Sequence, residues 1–225
     1  MLNDTYRHLI GGKITIPSKD ADGNYIEGIY NCVNALLITD VYFLNDTKCS
    51  SIGADAFRNL FTLKKVHMPA TITKIGNRAF DLCEQLELNT LPANMVTLGE
   101  GAFSQCKKIA ITSISSGIKE IPLQCFAICY DINIGVLGNG IDELVIGPQA
   151  FLAAHADNVA HLTINDKVSF IVTGDNKNRP FSSAYRNLTQ LTVPAHKFGY
   201  SDLSTMFYEL FGRERPDSLS INELI

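Results

Sequence analysis

The chain has no hydrophobic run long enough to cross a membrane and no cluster of basic residues. No window approaches the ~18 consecutive apolar residues of a membrane-spanning helix, although 46% of the 225 residues are hydrophobic. There are 19 Lys and Arg residues against 23 Asp and Glu, and no run of Lys or Arg exceeds two residues. A net charge of -4 and a pI near 5.7 provide no broad positive field for a phosphate backbone. We therefore expect neither membrane insertion nor a nucleic-acid partner.

The residue patterns that carry catalysis or metal binding are also missing. No nucleophile stands at a usable spacing from a base, and the six cysteines contain no Cys-x-x-Cys pair. His155 and His161 are close in sequence, but six residues apart suits neither one helix face nor a short chelating loop. The glycines at Gly135, Gly138 and Gly140 have the wrong spacing for a dinucleotide-binding loop. The sequence predicts no enzyme activity, no metal and no cofactor.

What the chain does have is a repeat of 23 residues, marked by Phe57, Phe80, Phe103 and Phe126. Ile-Gly or Leu-Gly begins five residues before each of the first three, and Ile-Pro before the fourth. Leu or Cys follows at plus three and Leu or Ile at plus six, so that one unit reads Ile-Gly-x-x-Ala-Phe-x-x-Cys-x-x-Leu. A period of this length indicates one supersecondary unit per repeat, and each unit buries its apolar face only by stacking on its neighbours.

The repeat continues with insertions beyond its regular part. Phe151 follows Phe126 after 25 residues and Phe181 follows after 30 more. The segment 188–194 then restates segment 63–69, so the array is predicted to span residues 29–194. Adjacent strands of a sheet lie roughly 4.8 Å apart, and equivalent side chains of neighbouring coils should therefore form ladders. The spacing predicts that the phenylalanine rings stack in a shared core.

This combination of period and motif resembles the BspA-type leucine-rich repeat. The unit is followed by an apolar-x-apolar-Pro strand that ends at Pro69, Pro92 and Pro194. The resemblance covers most of the chain and implies a leucine-rich repeat array. The best-known members of that family are bacterial and protozoan surface proteins that bind host or matrix proteins, and related repeats occur in phage and viral proteins. The resemblance implies a cell-surface or secreted location, but the first residues lack the order of a signal peptide, and a cytoplasmic location stays open.

Residues outside the repeat are predicted to close its two ends, because a terminal coil would otherwise expose its apolar column. Apolar residues between positions 203 and 211 have the i, i+3, i+4, i+7 spacing of an amphipathic helix, which Ser201 or Asp202 can cap and Gly212 can end. We interpret this helix as a cap rather than as a docking helix. The predicted fold is a β-rich α/β solenoid with an irregular N-terminal cap and a C-terminal capping helix. It forms one domain over residues 1–225, with caps at 1–28 and 195–225.

The N-terminal cap contains a short acidic cluster, Asp20-Ala-Asp22-Gly23-Asn24. Oxygen-rich loops of this kind can bind calcium, but the EF-hand type has its glycine at the sixth position, after three oxygen ligands. Here the glycine is fourth. Since Asp, Gly and Asn favour tight turns for local reasons, we interpret the cluster as a turn.

Two columns of the repeat leave alternatives open. Cys83, Cys106 and Cys129 are repeat equivalents, and a separation of about 5 Å between adjacent coils permits a disulfide. Ladder side chains point the same way into an apolar interior, however, which favours buried free thiols. At plus eight after each phenylalanine stand Lys65, Leu88, Ile111 and Ile134. We favour burial of this column over an exposed apolar stripe, because such stripes are uncommon unless they bind something.

The sequence therefore predicts a non-enzymatic protein-binding or adhesion module that uses the surface of the solenoid. The predicted binding residues come from the strand-bearing face and from the polar insertion 174–180: Lys64, Lys65, His67, Glu87, Thr90, Asp175, Asn176, Lys177, Asn178 and Arg179. An inert surface loop is the other interpretation of that insertion. The alternative function is a structural subunit of a larger assembly, such as a virion or a surface layer. Hydrolysis of a glycan or peptide ranks last, because carboxylates are sparse along the repeats. Neither the partner nor the oligomeric state follows from the sequence.

Overall fold

The computed structural model of the chain describes residues 12–30, 37–154, 156, 158–171, 178–194 and 202–224. The described chain winds into a parallel β-solenoid of about seven turns. Each regular coil contributes one segment to a first face, one short strand to a second face, and a turn that carries the repeated phenylalanine. The predicted solenoid is thereby confirmed, whereas the cap boundaries at residues 28 and 194 stay predictions.

The first face is divided into two sheets of parallel strands. The N-terminal sheet contains β1 (Gly12–Ile16), β3 (Ile38–Phe43) and β5 (Lys65–Val66). The C-terminal sheet contains β9 (Val136–Leu137), β11 (His161–Ile164), β13 (Gln190–Val193) and β14 (Ser220–Glu223). Between β5 and β9, two coils cross this face without regular strands and are joined by single main-chain bonds. Ala110 N–H donates to Leu88 O at 2.8 Å, and Asn133 N–H donates to Ile111 O at 3.0 Å.

The second face is also formed by two parallel sheets. One contains β2 (Gly28–Ile29), β4 (Ser51–Ile52), β6 (Lys74–Ile75) and β7 (Thr97–Leu98), and the other contains β8 (Glu120–Ile121), β10 (Leu144–Ile146) and β12 (Val168–Phe170). The two-residue strands β4, β6, β7 and β8 end in the apolar residue that precedes the repeat's Gly or Pro. Strand side chains alternate between the two sides of a sheet, so Lys74 is exposed and Ile75 is fully buried.

The phenylalanine turns are joined by main-chain hydrogen bonds from coil to coil. Phe80 N–H donates to Ala102 O at 2.8 Å, and the residues two before and two after it, Arg78 and Leu82, also donate to the next coil, at 2.8 and 2.9 Å. These two residues have positive φ angles of 52° and 63°. A left-handed conformation costs a non-glycine residue about 1–2 kcal/mol. The axial hydrogen bonds it permits give the main-chain N–H groups of the turn a partner in the next coil.

The phenylalanine rings form the stack that the period of 23 predicts. Consecutive ring centroids lie 5.3, 5.4, 5.6, 5.6, 5.4 and 5.2 Å apart along the series Phe57, Phe80, Phe103, Phe126, Phe151, Phe181 and Phe211. All seven rings are at most 1% exposed. We call this series the phenylalanine spine.

The last ring of the spine belongs to the helix α1 (Leu203–Phe211), which confirms the predicted capping helix. Asp202 caps its start by accepting the N–H of Thr205 at 2.8 Å, while Ser201 lies outside the described residues. Gly212 ends it with a φ of 69° and donates its N–H to Tyr208 O. The apolar side of α1 is buried against the last coil, where Phe211 continues the spine.

The column at plus eight is buried or partly buried at three of its four positions. Ile111 and Ile134 are fully buried and Leu88 is partly buried, as favoured from the sequence. Lys65 is exposed, because Val66 is the inward residue in that coil. The physical reason is spacing: Val66 follows the inward Leu63 by three positions, whereas Ile111 follows the inward Ile109 by two.

The glycine at the start of each repeat is needed because neighbouring coils approach closely there. A Cβ at Gly99 would lie 2.3 Å from Asn77 N and 2.4 Å from Gly76 C, both main-chain atoms. Since main-chain atoms cannot yield as a flexible side chain can, we expect Gly99→Ala to lower the free energy of unfolding by about 2–3 kcal/mol. Urea denaturation measures this.

The matched control is Gly140→Asn. A Cβ there would meet nothing within 4 Å, and asparagine tolerates the positive φ of 67°. This variant should be within about 0.5 kcal/mol of the parent protein. Equal stability of Gly99→Ala and the parent would show that the coils can separate at no cost.

Candidate binding face

Two aromatic rings stack on the outside of the N-terminal sheet. In β3, Val41 points inward and its neighbour Tyr42 points outward, as the alternation of a strand requires. The Tyr42 ring lies against His67 of the next coil, with centroids 4.2 Å apart and planes inclined by only 12°. His67 is exposed and Tyr42 is partly buried. The pair forms a stacked aromatic element on the outside of the sheet.

A row of alternating charge runs beside the aromatic pair. The parallel register places Lys13 of β1 opposite Asp40 of β3, and Asp40 opposite Lys65 of β5. Thr39 Oγ1 donates to the Asp40 carboxylate at 2.6 Å. With the exposed Lys64 next to Lys65, this region carries three lysines against one aspartate. The region is locally positive although the chain has a net charge of -4.

Five of the predicted binding residues lie together on this face. Lys64, Lys65 and His67 are exposed on the coil of β5, and Glu87 and Thr90 are exposed on the next coil. Glu87 N–H donates to Lys64 O at 2.8 Å, so the two coils are in direct contact here. We call Lys13, Asp40, Tyr42, Lys64, Lys65 and His67 the N-terminal patch.

The insertion 174–180 is only partly described, since Asp175, Asn176 and Lys177 lie outside the described residues. Asn178 is partly buried, and its main-chain oxygen accepts from Gln149 N–H at 3.3 Å. Arg179 is 4% exposed, so the structure corrects the expectation that it belongs to a surface contact.

The Arg179 side chain instead fastens the capping helix to the last coils. Its guanidinium lies over the ring of Tyr208, 4.2 Å from the centroid, and its Nη2 is 3.5 Å from Glu209 Oε1. A cation over an aromatic ring and a carboxylate partner both compensate the burial of its charge.

Sequence reasoning missed the contribution of the N-terminal segment to this face. Residues before the first repeat are predicted as an irregular cap, yet β1 is a five-residue strand that pairs with β3 in the first face. The alternation Lys13-Ile14-Thr15-Ile16 is the signal that could have identified it. Lys13, Asp40 and Tyr42 were overlooked because no repeat motif fixes their register.

The cysteines belong to the core rather than to a reactive site. The thiols of Cys83, Cys106 and Cys129 donate to the carbonyl oxygens of Phe57, Phe80 and Phe103 at 3.0, 3.1 and 3.1 Å. Burial raises the pKa of Cys83 to about 12 and the pKa of Cys106 well above its ordinary value. All five described cysteines are buried free thiols, which confirms the interpretation favoured from the sequence.

Within the described ranges, no three His, Cys, Asp or Glu side chains come close enough together to hold a metal ion.

The Asp20 cluster forms a turn, in which Asp20 Oδ1 accepts the N–H groups of Asp22 at 3.0 Å and Asn24 at 2.9 Å. The main-chain bond from Asn24 is the largest influence that lowers the pKa of Asp20. None of the helices in the described part of the chain has the length and apolarity to span a membrane.

The continuous spine and the parallel faces define a repeat protein of the solenoid class. The family model for the BspA-type leucine-rich repeat region matches residues 50–179 in six copies, and the chain therefore belongs to this family. The predicted family is confirmed. Solenoids of this family are generally not enzymes, and leucine-rich repeat domains generally bind proteins.

Two solved structures are similar to the chain. A leucine-rich cell surface protein from Faecalibacterium prausnitzii A2-165 is 23% identical, with a TM-score of 0.64 over 80% of this chain and 46% of that one. A leucine-rich repeat protein from Bacteroides ovatus ATCC 8483 is 16% identical, with a TM-score of 0.40 over 94% of this chain and 59% of that one. The chain thus spans about half the length of these proteins. No curated protein matches it. The similarity to the Faecalibacterium prausnitzii protein supports the solenoid fold.

Proposed function

We propose that this chain is a protein-binding module of the adhesion type, and that the N-terminal patch contacts the partner. The observation that carries the proposal is the Tyr42–His67 stack beside the Lys13–Asp40–Lys65 row. Aromatic side chains are enriched in the centres of protein interfaces, and surrounding charges select the partner and speed association. The similar cell surface protein from Faecalibacterium prausnitzii supports a role at a surface.

The patch is built on strands, which favours recognition by a preformed surface. Strands β1, β3 and β5 are held in register by the parallel ladder, and the stacked rings restrict each other's rotamers. A partner therefore immobilises few additional side chains, and less conformational entropy is lost on binding.

The charge of the patch indicates an acidic partner surface. Three lysines and one aspartate leave a positive excess, and these groups are solvent-accessible. Their attraction is screened over a Debye length of roughly 8 Å at physiological ionic strength, so binding should weaken as salt is added. Glu87 and Thr90 at the border of the patch limit the positive region on the side of the following coil.

Reversing the charge of two lysines tests the patch. We expect Lys64→Glu with Lys65→Glu to lower the affinity for an acidic partner by about tenfold or more, because attraction becomes repulsion. The measurement is biolayer interferometry of the purified chain against a panel of purified extracellular-matrix proteins, followed by the variant on each protein that binds. The parent's affinity should also fall with added salt.

The matched control reverses two lysines on the second face, Lys74→Glu with Lys119→Glu. Both residues are exposed, and the change in net charge is the same. This control should retain the parent's affinity. If the Lys64/Lys65 variant binds as tightly as the parent, or if the control loses as much affinity, the N-terminal patch is not the binding site.

A further inference from the structure

A shallow groove crosses the first face where its two sheets are interrupted. It has a volume of about 250 Å³ and lies between the coil of Phe103 and the coil of Phe126. One wall is formed by Thr112, Ser113 and Ile114, and the other includes Gly135, Val136 and Asn139. None of the residues that line it is charged.

The second wall presents the open edge of strand β9. Thr163 N–H donates to Gly135 O at 2.8 Å and Asn165 N–H donates to Leu137 O at 3.0 Å, so the carbonyl groups on either side of Val136 face β11. In a parallel pair alternate residues bond to the same neighbour, and the N–H and C=O of Val136 must therefore face the groove. No described residue hydrogen-bonds to either group. On this side the main-chain ladder stops at Asn133, which donates to Ile111 O.

The side chains around this edge are apolar or short and neutral. Val136 is 46% exposed, and Ile114 is only partly buried. The hydroxyls of Thr112 and Ser113 are on exposed residues of the opposite wall. An exposed strand edge with unpaired main-chain groups is a template for pairing with another strand, and charged side chains that would discourage such pairing are absent from the groove lining.

We propose that this groove binds an extended, uncharged segment of a partner protein, which adds a short strand beside β9. The main chain of the segment hydrogen-bonds to Val136, and a small apolar side chain packs against Val136 and Ile114. At a strand rise of about 3.3 Å per residue, the groove has room for only a few residues. The contact alone is therefore weak, and it selects for chain conformation and absence of charge more than for sequence.

The test uses the peptide acetyl-Ser-Thr-Val-Thr-Ser-amide and the ¹⁵N-labelled full chain. Titration to about 5 mM should shift the amide resonances of Val136, Gly135 and Ser113 in a saturable manner. Val136→Pro removes the N–H that faces the groove but none of the bonds to β11, and should weaken binding about tenfold or more. Val136→Thr keeps the N–H and the branched shape, and should bind as the parent does.

A second variant, Ser113→Trp, fills the groove from the exposed wall and applies even if Val136→Pro fails to fold. It should also abolish the shifts. The proposal is overturned if the peptide shifts none of the three amides, if the shifts persist in Ser113→Trp, or if a peptide with lysine in place of both threonines binds equally well. It is also overturned if the same amides shift on raising the protein concentration without peptide and sedimentation shows a dimer, because the occupant is then a second copy of the chain.

Discussion

Truncation of Phe103 to alanine is expected to lower the free energy of unfolding by about 3–5 kcal/mol, as for other buried rings. The ring is fully buried and stacks on Phe80 at 5.4 Å and on Phe126 at 5.6 Å. Its removal leaves a cavity in the middle of the phenylalanine spine, and the surrounding coils are held by axial hydrogen bonds that limit their collapse. Urea denaturation measures the loss.

The matched control is Phe61→Ala, which removes the same atoms from a ring that is 47% exposed. Its expected cost is below about 1 kcal/mol. Because each coil contacts only its neighbours, hydrogen exchange in Phe103→Ala should increase most in the coils of Phe80 and Phe126. A Phe103→Ala protein as stable as Phe61→Ala would contradict the assignment of Phe103 to a structural spine.

The spine could be predicted from the sequence because stacking itself enforces the period. A ring can contact its equivalent only if every coil has nearly the same length, and the repeat of 23 residues from Phe57 to Phe126 records that requirement. The insertions before Phe151 and Phe181 leave the ring spacing nearly unchanged, at 5.6 and 5.4 Å. The place of Phe211 in the same stack was not predicted, since it belongs to a helix rather than to a repeat turn.

The residues on the outside of the first face were harder to predict, because outward residues are not constrained by stacking. Lys64, Lys65 and His67 were proposed as binding residues from their position next to a recognised repeat, whereas Tyr42 lies in a strand without the motif. Arg179, in contrast, was predicted to lie at the surface and is buried. Its polar neighbours predict a surface loop, and nothing in the local sequence indicates that its guanidinium packs on Tyr208, 29 residues further along.

The groove beside β9 also lay beyond sequence reasoning. The coils of Phe103 and Phe126 have the same apolar pairs, Ile109/Ile111 and Ile132/Ile134, at equivalent positions of the repeat. The ladder nevertheless stops at Asn133. A hydrogen-bond ladder depends on the path of both chains after the shared motif, and those segments differ in the two coils.

Alkaline pH is expected to destabilise the fold strongly through its buried thiols. Burial raises the pKa of Cys83 from 9.0 to about 12, and it also raises the pKa of Cys106, Cys125 and Cys129. Below pH 9 the thiols are protonated in both the folded and the unfolded chain, and their contribution to the free energy of unfolding is fully present. As pH rises further, the unfolded chain loses protons that the folded chain retains, so the free energy of unfolding falls.

The variant Cys83→Ala measures how much of this pH dependence one thiol contributes. Over the window from pH 9 to 12 the loss is about 1.4 kcal/mol per pH unit for one such group. In Cys83→Ala, the free energy of unfolding should therefore fall less steeply than in the parent by about that amount per unit. The measurement is urea denaturation with a reductant present, at several pH values between ~8 and ~11.

Leu60→Ala is the control, since Leu60 occupies the position of Cys83 in the preceding repeat and is 1% exposed. This change also removes buried atoms from the same column, but it removes no titratable group. It should lower the free energy of unfolding at every pH and leave the pH dependence of the parent unchanged. Since every other titratable group is present in all three proteins, only the loss of a buried thiol can reduce the slope. An equal slope in Cys83→Ala and Leu60→Ala would mean that Cys83 ionises as readily in the folded chain as in the unfolded one.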